Sequence, residues 1–220
     1  MSVLKASNFG NPYIGLFAKA SDKFVAADIS SSPKLLASLE SLGVAVHKAS
    51  FGGSGLAGIF LCMNSNGAIL PSFCSKEEIA FFKNQGLNVE VLSGQFSAVG
   101  NNLAANDFGA VANPEITRGQ LKKISDCLGV ETVPIRIAGY ATTGSCVAAT
   151  NKGFAAHNRA SEQELKELQG ILRVKGQNCT LNTGVPFISL CLVANSKGAL
   201  AGEATTGFEL GRTAESLELF

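Results

Sequence analysis

Six cysteines and two histidines are the residues of this chain with the greatest chemical reach. A cysteine acts as a nucleophile through its thiolate, beside a base such as histidine and with acids placed to hold a cationic substrate. The cysteines here sit instead where a recurring core position would put them. Cys146 and Cys191 each stand seven residues before a glycine, Gly153 and Gly198, and Cys62 lies in the corresponding strand of an earlier unit. A nucleophile is unique, whereas a small apolar core residue recurs. His157, four residues after Gly153, reads as a loop residue and His47 as a strand residue beside Lys48, both on the surface. There is no Cys-x-x-Cys pair and no His-x-x-x-His, so the spacing offers no metal site. The amino terminus MSVLKASNFG lacks the apolar stretch of a signal peptide and no run of eighteen apolar residues occurs. A cytoplasmic protein with reduced thiols and no membrane association is therefore expected, in which the Asn178-Cys179-Thr180 sequon goes unglycosylated.

Phosphate chemistry fares no better. Gly53-x-Gly55-x-x-Gly58 has the letters of a dinucleotide fingerprint, but that motif works only when a helix follows with its N-terminus on the pyrophosphate. Here a strand, Ile59 to Met63, is expected, so the glycines read as an inter-unit loop and no cofactor is expected. The formal net charge is +1, from 18 basic and 17 acidic residues spread along the chain, which leaves no basic stripe for duplex DNA.

The elements that would position any site repeat. From Cys62 to Asn101 the chain reads as a hairpin turning at Asn64 to Gly67, a helix begun by the capping box Ser75/Glu78 and ended at Gly86, and a strand from Val89 to Phe96. Further boxes at Thr117/Gln120, Ser161/Glu164 and Thr206/Glu209 follow at intervals of 42, 44 and 45 residues. The hairpin glycines Gly67, Gly109, Gly153 and Gly198 keep the same intervals, and Gly15, Gly58, Gly100 and Gly144, each just past a third strand, are spaced by 43, 42 and 44. Three marks in step define a repeat. The first unit lacks the turn glycine, using Ser21-Asp22-Lys23, and starts its helix with Ser32 and Pro33. Third strands are expected at Val44–Phe51, Val133–Tyr140 and, more weakly, Asn178–Val185. The last unit stops without a third strand. Lys5-Ala6-Ser7 matches Lys48-Ala49-Ser50, so a strand over Ser2–Ser7 is expected to complete it beside residues 190–202. The units run about 13–58, 59–101, 102–145, 146–189 and 190–220, the last completed by 1–12, within a single domain.

Five strand-strand-helix-strand units closed by the N-terminal strand resemble the α/β pentein fold, a propeller with five-fold pseudosymmetry. The motifs Lys5-Ala6-Ser7, Ile14-Gly15-Leu16-Phe17-Ala18-Lys19, Ser97-Ala98-Val99-Gly100-Asn101, Asn106-Asp107-Phe108 and Thr205-Thr206-Gly207-Phe208-Glu209-Leu210 resemble the translation initiation factor 6 family of ribosome anti-association factors. The ending at Phe220, without a C-terminal extension, resembles the archaeal type. The resemblance implies a non-enzymatic protein that binds the large ribosomal subunit on its intersubunit face, chiefly an L14-type protein and an adjacent rRNA loop. Joining of the small subunit is then blocked, and a part in large-subunit maturation is also implied. Ile59 departs from the arginine of eukaryotic members, so a polar contact there is absent or replaced.

The partner-binding residues expected are Gly15, Leu16, Gly58, Ile59, Gly100, Asn101, Gly144 and Ser145, gathered into a shallow ring at one end of the propeller, together with Phe108. The alternative is a cysteine-dependent guanidine-modifying hydrolase on the same fold. It would need a polar constellation breaking the repeat symmetry toward the channel, and none is legible. With its sheet edges consumed internally, the protein is expected to be a monomer.

Overall fold

The computed structural model describes residues 3–220. Every capping box opens a helix: Ser75 caps Lys76–Asn84, Thr117 caps Arg118–Leu128, Ser161 caps Glu162–Leu172 and Thr206 caps Gly207–Ser216, each with both reciprocal bonds formed. The side-chain oxygen satisfies one orphan N–H of the first turn and the acid or amide at the third position satisfies the cap's own. The helix Pro33–Glu40 is capped by Ser32. Leu35 stands where the other units carry Glu or Gln, and Asn8 from the N-terminal segment supplies the missing acceptor, its Oδ1 taking the Ser32 N–H at 2.8 Å. Gly129 ends its helix in the left-handed conformation, which costs a residue without Cβ nothing.

The strands are β1 (Leu4–Ala6), β2 (Ala18–Ala20), β3 (Phe24–Asp28), β4 (Ala45–Ala49), β5 (Cys62–Met63), β6 (Gly67–Pro71), β7 (Asn88–Leu92), β8 (Leu103–Ala105), β9 (Ala110–Ala112) and β10 (Thr132–Pro134). They continue with β11 (Val147–Ala149), β12 (Gly153–His157), β13 (Lys175–Cys179), β14 (Leu192–Asn195) and β15 (Gly198–Gly202). They form five three-stranded sheets, β2-β3-β4, β5-β6-β7, β8-β9-β10, β11-β12-β13 and β14-β15-β1, a mixed α/β architecture with a five-fold repeat. In each the hairpin is antiparallel and the third strand parallel to the middle one. As the Lys5-Ala6-Ser7 match requires, β1 takes the third place beside β15, Leu4 opposite Leu200 and Ala6 opposite Gly202. Ser2, the expected start of this strand, lies outside the described residues.

Several expected boundaries shift. The chain does not pass from Gly58 straight into a strand: Ala57–Phe60 is a single helical turn and β5 starts only at Cys62. Equivalent turns precede β2, β8, β11 and β14, at Ile14–Leu16, Val99–Asn102, Thr143–Cys146 and Ile188–Cys191. None has a side-chain cap, and their packing against one another rather than a local signal holds them. The strand expected at Asn178–Val185 runs instead over Lys175–Cys179, because Asn182, Thr183 and Gly184 all have positive φ and cannot continue a strand. Likewise β7 ends at Leu92 and β10 at Pro134, before the positive φ of Gly94 and of Ala138 and Gly139.

The apolar core is divided among five clusters, each filled from two successive units; Phe24 and Phe51 meet Leu70 and Phe82, for example. Another cluster joins Val193 and Leu200 of the last unit to Ile14, Val25 and Leu35 of the first. The innermost strands also follow one another, β2 against β5, β5 against β8, β8 against β11, β11 against β14 and β14 against β2. Polar staples reinforce the order. The turn side chains Asn64, Asn106 and Asn195 each use Oδ1 to accept from their own turn and Nδ2 to donate to two carbonyls of the next unit. Asn195 thereby reaches Ser21 O and Leu42 O of the first unit. No helix among the described residues is long and apolar enough to cross a membrane.

Candidate interaction surface

Each inner strand runs from a short helical turn to a hairpin, so the turns share one end of the molecule and the hairpins the other. At the turn end the four spaced glycines lie side by side. A Cβ on Gly15 would fall on the carbonyl of Ser189, one on Gly58 on that of Gly15, one on Gly100 on that of Gly58, and one on Gly144 on those of Leu103 and Gly100. Glycine is required there because backbone packs directly on backbone. The four are buried, and the residues behind them differ: Leu16, Ile59 and Asn101 are half-buried at the surface, whereas Ser145 is buried with its Oγ donating to Thr142 O at 2.7 Å. The fifth pair, Ser189 and Leu190, was missed by sequence reasoning. Continuing the interval from Gly144 by 45 residues lands on Ser189, a signal available once a serine is allowed in a glycine's place.

Phe108 does not join this ring. It occupies the Asn106–Gly109 hairpin at the opposite end, 40% exposed, so two ends of the molecule share the expected set. The turn end carries more exposed apolar surface: Phe9, Tyr13, Ile29, Phe73 and Tyr140 all emerge from loops at this end. Asn101, the third residue of Val99–Asn102, has a buried Oδ1 with no hydrogen-bond partner. Its neighbour Asn102 is fully engaged, donating to Ala98 O and accepting from Asn113. Asn101 thus does not cap its turn, and its Oδ1 stays buried and unmet at the end richest in exposed apolar side chains.

Nucleophilic chemistry finds no support. Five of the six cysteines are buried and Cys74 is half-buried. Burial pushes Cys62, Cys127, Cys146 and Cys179 up to about 11 and Cys74 and Cys191 up to about 12, the reverse of an activated thiolate. His157 is neither a loop nor a surface residue: it ends β12 at 2% exposure, between the rings of Tyr140 and Phe187. It stands at the repeat position of Asp28 and Asn113, whose Oδ1 atoms accept from Ser30 N and Glu115 N, and its Nδ1 accepts from Arg159 N in the same way. The imidazole substitutes for a turn-capping carboxamide, which places its proton on Nε2, where it has no partner. Burial, then the Arg159 charge, lowers its pKa, against a smaller opposing effect of Glu164. His47 lies in β4, half-buried against Phe24 and Phe81. Among the described residues no group of three His, Cys, Asp or Glu side chains is placed to hold a metal ion.

One polar departure from the repeat does point in among the inner strands, contrary to the sequence reading. Lys19 and Ser189 meet there, Nζ donating to Oγ at 3.3 Å.

The sequence is matched along nearly its whole length in known proteins. A model of the eIF-6 family aligns with residues 3–216. Translation initiation factor 6 of Staphylothermus marinus is 36% identical over 99% of this chain and 98% of its own, and that of Pyrococcus abyssi is 35% identical over 95% of each. The Picrophilus torridus protein of the same name is 34% identical over 98% of this chain and 99% of its own. A full-length family match, with relatives above 30% identity along the whole chain, means that this protein belongs to the eIF-6 family.

Proposed function

We propose that this protein acts in translation by docking on the large ribosomal subunit at the face that meets the small subunit, so that the two cannot join. The partner surface is an L14-type ribosomal protein with an adjacent rRNA loop, and the same docking serves large-subunit maturation. The five sheets form a pentein propeller within one domain, 1–220, closed by the N-terminal strand, monomeric and cytoplasmic. Support for closure comes from the pairing of β1 with β15 and the packing of β14 on β2.

The observation that carries the docking reading is the turn end itself. Leu16, Ile59 and Leu190 supply half-buried apolar contacts around buried glycines, Phe9, Tyr13, Ile29, Phe73 and Tyr140 add exposed rings and branched chains at the same end, and the half-buried Asn101 stands among them. An apolar centre with a few polar groups that set register suits a protein surface. The test is co-sedimentation of the purified protein with archaeal large and small subunits, followed by light scattering of subunit joining. Binding to the large subunit alone and suppression of joining are expected; a protein that travels with neither subunit overturns the proposal.

A further inference from the structure

Phe108 is the one expected contact residue that the turn end does not take up, and its repeat position shows what sets it apart. Lys23, Asn66, Phe108, Lys152 and Lys197 recur at the hairpin tips at intervals of 43, 42, 44 and 45 residues. Three of the five close the helix of the next unit: Lys197 Nζ donates to Gly43 O at 3.0 Å, Lys23 Nζ to Gly86 O at 3.0 Å and Asn66 Nδ2 to Leu128 O at 3.2 Å. The carbonyls at a helix end lack intrahelical partners, and these tips supply donors. In the same three units a glycine in the left-handed conformation follows the helix, Gly43, Gly86 and Gly129 at φ +67°, +74° and +67°.

The fourth and fifth units depart at both positions. Arg173 at φ +55° and Glu218 at φ +51° stand where the others have glycine, a conformation that residues with a Cβ adopt only at a cost. The tips that face them are Phe108 and Lys152. Among the described residues no ion pair engages Lys152, Arg173 or Glu218, the two pairs present being Lys123 with Glu90 and Arg136 with Glu115. Phe108 is 40% exposed, and Lys152, Arg173, Lys175 and Glu218 are exposed with it. These side chains adjoin: a Cβ on Gly109 would fall on Ile171 O, Gly153 pairs with Lys175 across the sheet, and a Cβ on Gly153 would fall on Ser216 O beside Leu217. Phe108 therefore neighbours Arg173, and Lys152 neighbours both Lys175 and Glu218.

We propose that this part of the hairpin end binds an acidic protein segment, an apolar side chain of which covers Phe108 while its carboxylates meet Arg173, Lys152 and Lys175. Charge selects the class of partner. Three cations lie beside the ring, and two exposed carboxylates border them, Glu218 next to Lys152 and Glu131 where its backbone carbonyl accepts from Ala110 N. A nucleic-acid strand needs a run of cations and would carry its phosphates past those acids and past Asp107, which bonds from Ser65 and Asn151 hold beside Phe108. A protein segment places its acids singly, and the guanidinium of Arg173 can take one of them through two parallel bonds. The surface lies at the end opposite the turns, so it stays open when the turn end is covered and is independent of the docking reading.

The probe is a fluorescein-labelled decapeptide of alternating glutamate and leucine, followed by fluorescence anisotropy at about 50 mM salt, where exposed charges are weakly screened. A lysine and leucine decapeptide and a uridine decanucleotide are the comparisons. The glutamate peptide should bind best, with Phe108→Ala weakening it about tenfold or more and Arg173→Gly about threefold or more. Glycine takes φ +55° freely, so Arg173→Gly should melt no lower than the wild type and its loss of binding is not a loss of fold. Lys197→Ala, at the same repeat position but in a tip that closes a helix, should bind as the wild type does. Equal binding by the wild type, Phe108→Ala and Arg173→Gly, an equal loss in Lys197→Ala, or preference for the lysine peptide overturns the proposal. Tighter binding of the oligonucleotide assigns the patch to nucleic acid and overturns it as well. Should Arg173→Gly melt lower, Lys152→Ala decides in its place: a loss of about threefold or more supports the site, and unchanged binding refutes it.

Discussion

Glu209 is the acid of the last capping box, and removing it tests whether these boxes hold units together as well as helices. Its carboxylate accepts from Thr206 N and Oγ1 within its own helix, and from Thr180 Oγ1, Thr183 N and Gly184 N in the preceding unit. The residue is 6% exposed. Glu209→Ala removes the return half of the cap, worth about 1 kcal/mol. It also strips partners from the 180–184 loop. Thr183 and Gly184 are exposed enough for water to replace the carboxylate, whereas Thr180 Oγ1 is half-buried and its loss costs about 1–2 kcal/mol. A total of about 2–3 kcal/mol is expected, which for a chain of this size lowers the melting temperature by about 4–12 °C. Glu209→Gln keeps one acceptor oxygen and should lose about half as much. Urea unfolding followed by far-ultraviolet circular dichroism measures both, with Glu162→Ala, at the exposed first position of its helix, as control. The burial of Glu209 alone would raise its pKa, but the bonds from Thr206, Gly184 and Thr180 outweigh that and lower it. Its stabilisation is therefore complete above the unfolded carboxylate pKa of about 4.3 and lost as pH falls through the lower folded value. A Glu209→Ala protein within 0.5 kcal/mol of the control at neutral pH, with an unchanged acid limb, would refute the stapling argument.

Deleting residues 1–8 removes β1 and Asn8 together, exposing β15 and the cap of Pro33–Glu40; a lower melting temperature or oligomerisation is expected, and an unchanged monomer would contradict the pairing. Asn101→Ala should weaken large-subunit binding roughly tenfold to a hundredfold, as removal of an interface hydrogen bond worth about 1–3 kcal/mol implies, while melting almost unchanged because the side chain bonds nothing in the free protein. Normal binding with a melting point several degrees lower would assign it to the fold. The lowered pKa of His157 means that the unfolded state takes up the proton first, so stability is complete above about pH 6.5 and declines as pH falls toward the folded value. His157→Asn, which can still accept from Arg159 N, should flatten that decline in a pH series of melting curves; an identical profile would exonerate the imidazole. Iodoacetamide at pH 8 should leave all six thiols of the folded protein essentially unlabelled and modify them in urea, and rapid native labelling of any one would contradict the raised pKa values.

The features legible in the sequence are those whose physics is local. A capping box spans four residues, so Ser75/Glu78, Thr117/Gln120, Ser161/Glu164 and Thr206/Glu209 announced four helix starts and, by their interval, the repeat. Turn glycines located the hairpins in the same way, and the match of Lys5-Ala6-Ser7 to Lys48-Ala49-Ser50 located β1, because equivalent strands bury the same face. What the sequence could not supply depends on neighbours far along the chain. The turn at Ala57–Phe60 has no cap and exists because Gly58 packs on the Gly15 carbonyl, 43 residues away, so an apolar run read as a strand became helical. His157 looked like a surface residue, since its role as a carboxamide substitute shows only when Arg159 N and the rings of Tyr140 and Phe187 surround it. Phe108 and Asn101, seven residues apart, proved to lie at opposite ends because the short strand β8 crosses the molecule between them. The meeting of Lys19 with Ser189 was beyond reach for the same reason: side chains 170 residues apart become neighbours only when the first and last units pack together.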